Sequence, residues 1–62
     1  MAVYTFFPRD PKGASASFES VELDSLRRVK LVAQKVLSQH PSSTHVEVWR
    51  EDRIVLKAER NG

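Results

Sequence analysis

Cysteine is absent from this chain, and the absence removes two devices that small domains lean on, disulfides and thiolate metal ligands. His40 and His45 are the only histidines, too few for a structural zinc site without cysteine, so no metal and no cofactor is expected. Glycine occurs only at Gly13 and Gly62, which leaves no material for a glycine-rich phosphate loop. No apolar run approaches the ~20 residues of a membrane helix. The opening Met1–Phe7 has no basic leader before Pro8-Arg9-Asp10, and reads as a strand rather than a signal peptide. The expectation is a soluble cytoplasmic protein with no membrane partner, and a cysteine-free chain suits a reducing compartment. Acid is also missing locally: Ser25–Val46 holds Arg27, Arg28, Lys30 and Lys35 and no carboxylate, while the rest of the chain is net acidic.

What remains is a chain of 62 residues, enough for one domain over residues 1–62. A chain of this size buries only about 60% of its unfolded surface and is marginally stable. With disulfides and metals gone, oligomerisation is the stabilising device left open.

Ala2–Phe7 is rich in aromatic and β-branched residues and reads as a strand. Pro8, Pro11 and Gly13 mark the following segment as a loop. Ala14–Glu19 alternates, and is expected to be the second strand. Asp24 or Ser25 can cap a helix, because either side-chain oxygen can accept from a free N–H of the first turn. Leu26, Val29, Val32, Ala33, Val36 and Leu37 then form one apolar stripe at about 100° per residue. Leu31 falls among the charges instead. Pro41 ends the helix by pushing His40 out of the α region.

His45–Arg60 reads as two alternating strands around a charged turn. A two-residue loop at Glu51-Asp52 pairs Trp49 with Ile54 and Glu47 with Leu56, which mixes charge into the apolar face. A three-residue loop at Arg50-Glu51-Asp52 pairs Val48 with Ile54 and Val46 with Leu56, which separates core from solvent. The second register is expected, with Asp52 near the left-handed region. It sends Trp49 and Val55 outward among His45, Glu47, Arg53 and Lys57. The expected fold is therefore α+β, in the order ββαββ: a four-stranded antiparallel sheet of spatial order 2-1-3-4 with one helix on one face. The expected core is Phe6, Leu26, Val29, Ala33, Val36, Leu37, Val46, Val48, Ile54 and Leu56.

Tyr4-Thr5-Phe6-Phe7, Arg9-Asp10 with Gly13, Val21-Glu22-Leu23 before a helix, and Val46-Glu47-Val48 with an acidic turn together resemble a family of short bacterial proteins whose defining domain has no assigned function. That family usually has a glycine in the last turn, where this chain has Asp52-Arg53. The resemblance spans most of the chain and implies the ββαββ fold, but no activity. The strand order is also similar to that of the antitoxin of the HicA–HicB pair, without its glycine-rich second strand.

Catalytic constellations are not apparent. His40 and His45 flank Pro41-Ser42-Ser43-Thr44, but a serine nucleophile needs an oriented base and an oxyanion site, and no such set is visible. The expectation is a non-enzymatic module. Its candidate interaction residues are Trp49 and Val55, with Arg53, Lys57 and Phe7, on the open sheet face, where aromatics and arginine supply binding energy. A homodimer or a protein partner is expected, with basic residues around Trp49 meeting Glu47 of the other subunit. The alternative is RNA or DNA binding through Arg27, Arg28, Lys30 and Lys35, or by base stacking on Trp49.

Overall fold

Strict alternation shapes the first strand, β1 (Ala2–Arg9): Tyr4, Phe6 and Pro8 are buried, and Thr5, Phe7 and Arg9 are only partly covered. The computed structural model describes residues 2–15 and 17–60. β2 (Glu19–Leu23), β3 (His45–Arg50) and β4 (Arg53–Glu59) complete an antiparallel sheet in the order β2-β1-β3-β4. α1 (Leu26–Gln39) crosses one face. The fold is the expected ββαββ arrangement, with the expected strand order.

Pro8 sits inside a strand although it has no N–H to give a ladder. The β2 ladder ends at Phe6↔Glu19, so one side of β1 is already an edge where Pro8 falls. The following turn is closed by Gly13 N–H donating to the Asp10 carbonyl at 2.9 Å, with Gly13 at φ +83. The Asp10 carboxylate accepts from the Lys12 and Ala14 N–H groups, each at 2.9 Å. The strand expected over Ala14–Glu19 is a correction: only Glu19 of its described residues is in a strand, and Ala16 lies outside them. Small residues offer little side chain to pack, and pairing with β1 starts only at Glu19, opposite Phe6.

Ser25 is the N-cap of α1, and its hydroxyl accepts from Arg28 N–H at 3.3 Å. Val29, Ala33, Val36 and Leu37 form the buried stripe, packed on Tyr4, Phe6, Val46, Val48 and Ala58. Leu26 is 58% exposed and does not belong to the core as expected. Its period is correct, but burial begins one turn later, at Val29.

The final hairpin departs from the expected register. Arg50 pairs with Arg53 and Trp49 with Ile54, so the turn is the two-residue Glu51-Asp52. A bulge then shifts the ladder, and Val48 pairs with Leu56 and Val46 with Ala58. The extra residue is Val55. It packs against the core beside Leu56, while Ile54, placed opposite Trp49, is 46% exposed. The bulge reconciles the short turn with an apolar inner face, because it restores the pairing parity that a two-residue loop alone would lose. Glu51, not Asp52, takes the left-handed conformation, at φ 58.

Candidate interaction surface

Since Phe6, Val46 and Val48 point toward α1, the period of two sends Phe7, Glu47 and Trp49 to the opposite face. Cross-strand pairing then assembles that face. Thr5 lies opposite Trp49, Phe7 opposite Glu47, and Arg9 opposite His45. On the other side of β3, Ile54 lies opposite Trp49, Lys57 opposite Glu47, and Glu59 opposite His45. Val3 with Glu22, and Thr5 with Ser20, extend the face toward β2.

Glu47 is its hub. One carboxylate oxygen, Oε1, accepts from Arg9 Nε at 3.2 Å and from the Trp49 indole N–H at 3.3 Å, and lies 3.1 Å from the second Arg9 nitrogen. The other oxygen faces His45 Nε2 at 3.7 Å. Arg9 also donates to the Gly13 carbonyl at 3.2 Å, and its guanidinium stands 5.4 Å from the centre of the Phe7 ring. Phe18 continues the aromatic patch, with its ring 5.8 Å from that of Phe7.

Partial burial works to raise the Glu47 pKa. The Trp49 hydrogen bond, the Arg9 charge and hydrogen bond, and the nearby His45 outweigh it and hold the carboxyl below its ordinary value of 4.5. A carboxylate held that low is a poor proton acceptor near neutral pH. Its arrangement instead fixes the orientation of Trp49 and neutralises charge within the patch. The donors come from its own chain, so Glu47 is not waiting for a basic residue of a second subunit.

Of the candidate residues, Trp49, Phe7 and Lys57 share this face. Val55 and Arg53 do not: the bulge turns Val55 to the core, and Arg53 pairs with Arg50, one residue out of phase with Trp49. Ile54 takes the place expected for Val55. Arg9 and Phe18 were missed. Arg9 is in phase with Thr5 and Phe7, but in the sequence a proline at position 8 reads as the end of the strand, while β1 runs on to Arg9. Phe18 precedes β2 and joins the patch only through its contact with Phe7.

Arg27, Arg28, Lys30 and Lys35 are all exposed along α1. Arg28 pairs with Asp24 at 3.4 Å. Among the described residues, no ion pair involves Arg27, Lys30 or Lys35. No helix among these residues is long and apolar enough to cross a membrane. No family model, curated protein or solved structure matches the chain.

Proposed function

We propose that the protein is a non-catalytic interaction module that self-associates through its open sheet face. The observation that supports this is an aromatic and aliphatic patch on the uncovered side of the sheet. Trp49 and Phe7 are half-buried there, and Phe18, Ile54 and Val3 are exposed at 66%, 46% and 53%. An apolar patch with an internally neutralised charge at its centre loses little on desolvation, since Glu47 brings its own hydrogen-bond donors. A two-fold axis along the strands lays the β2 margin of one copy over the β4 margin of the other. The pairing registers then set Ser20 of each copy level with Ile54 of the other.

The test is molar mass in solution across a concentration series, at low and high salt. Self-association through this face gives a dimer at high micromolar concentration that persists in salt. Trp49→Ser weakens it by roughly tenfold or more while retaining the circular dichroism of the fold. A wild type that stays monomeric at that concentration overturns the proposal. Binding of generic RNA or DNA that collapses steeply with salt would instead identify phosphate recognition.

A further inference from the structure

We propose a second interaction surface, on the opposite side of the molecule: the groove between α1 and the free edge of β4 docks an extended acidic segment of a partner protein by strand addition. β4 is an outer strand, paired among the described residues only with β3. A free edge offers a row of backbone donors and acceptors to any extended chain, and proteins commonly blunt such edges. Here the blunting is partial. The bulge at Val55 disrupts the first half of β4, but Leu56–Glu59 is regular, in unbroken register with His45–Val48. The same four residues form one wall of a groove of about 410 Å³, whose other wall is Lys30, Leu31 and Gln34 of α1.

Two further features of α1 point to the chemistry of the occupant. Leu31 is 66% exposed, projecting out of the helix stripe and into this groove. A second depression, formed by Leu26, Arg27, Lys30 and Leu31, continues it along the helix. Arg27 and Lys30 thus stand beside Leu26, Leu31 and Leu56 along the groove, whose one acid, Glu59, is matched by Lys57 at 3.9 Å. Arg27, Lys30 and Lys35 take part in no ion pair among the described residues, and no carboxylate occurs between Ser25 and Val46. A strand added to Leu56–Glu59 sends alternate side chains toward α1. Apolar residues there meet Leu31 and Leu56, and acidic ones meet Lys30 and Arg27. A second copy fits less well. The other edge strand, β2, is acidic, but pairing β2 with β4 is head-to-tail and runs on without closing.

The probe is an end-capped eight-residue peptide, Val-Thr-Glu-Thr-Val-Thr-Glu-Thr, whose every second residue is valine or glutamate in turn, so that both kinds share the side facing α1. A second form is N-methylated on alternate amides, and a third has lysine for glutamate. Each is titrated into the ¹⁵N-labelled full chain. The glutamate peptide is expected to shift the amides of Leu56–Glu59 saturably. N-methylation and the lysine exchange each abolish the effect, and Leu31→Asp or Lys30→Glu, both on exposed positions, weaken binding by roughly tenfold. Shifts centred on Trp49 and Phe7, no saturable shift up to millimolar peptide, or indifference to N-methylation overturn the proposal. So does tighter binding of single-stranded RNA to the same helix residues, or open-ended growth of molar mass with concentration. Trp49→Ser leaves this binding unchanged, so failure here and failure of self-association through the open face are read separately.

Discussion

Arg60 has a larger structural role than its place near the end of the chain suggests. Its guanidinium donates to the carbonyls of Leu37 at 2.7 Å and His40 at 3.1 Å, and its Nε donates to the Ser43 carbonyl at 3.2 Å. Those carbonyls belong to the last turn of α1 and the loop beyond it, where no basic residue is available from the helix itself. A cation there meets the negative end of the helix dipole and satisfies acceptors that the helix leaves open. Arg60→Ala is expected to cost about 1–2 kcal/mol, read as a fall of several degrees in thermal midpoint. An unchanged midpoint would mean the clamp is cosmetic. At Glu47 the sign is set by a folded pKa below 4.5. The stability it adds is fully present above the unfolded value and is lost as pH falls from there through the lowered folded value. Glu47→Gln should therefore lower the midpoint at neutral pH by a few degrees and flatten the decline of stability in acid. A variant whose acid profile parallels the wild type would show that other carboxylates dominate.

At the scale of elements, the helix and the strand order were legible because each rests on a periodic signal. The stripe lies where the sequence puts it from Val29 to Leu37, and of the two candidate caps, Asp24 and Ser25, Ser25 is the one used. The hairpin was legible in its faces for β3, and for β4 only from Leu56 onward. Two signals competed there, a turn length and a hydrophobic pattern, and parity forces a choice between them only if both strands are regular. The bulge at Val55 satisfies both, at the cost of one residue left over, and no residue type announces it. Tyr4 and Ala58 joined the core without being foreseen, Tyr4 because a phenol reads as amphipathic and Ala58 because the shifted register brings it opposite Val46. The turn also keeps a local conflict: Glu51 holds φ 58, a conformation that costs an L-residue about 1–2 kcal/mol. Glu51→Gly is expected to recover part of that, about 0.5–1 kcal/mol after the added freedom of the unfolded chain is counted. Chemical denaturation should show a higher midpoint with an unchanged slope. Asp52→Gly should not stabilise, since Asp52 is not in the left-handed region. The opposite ranking would put the turn geometry in question.

For the whole molecule the decisive fact is that one helix covers one face of a four-stranded sheet, in a chain of 62 residues. A buried set of nine apolar residues among those described, six of them valine or alanine on or under a single helix, is a thin core. Covering the second face adds burial without lengthening the chain, and association that favours only the folded state makes stability depend on concentration. The thermal midpoint of the wild type is therefore expected to rise by several degrees between low-micromolar and millimolar protein. Phe18 is the residue on which to separate fold from association. Its ring is exposed and touches Phe7 at the margin of the patch, outside the core. Phe18→Ser should leave the midpoint at low concentration within a degree or two of wild type and suppress its rise with concentration. A parallel drop at every concentration would assign Phe18 to the monomer's own stability. A wild-type midpoint independent of concentration would leave the open face facing solvent, and the thin core alone would have to hold the fold.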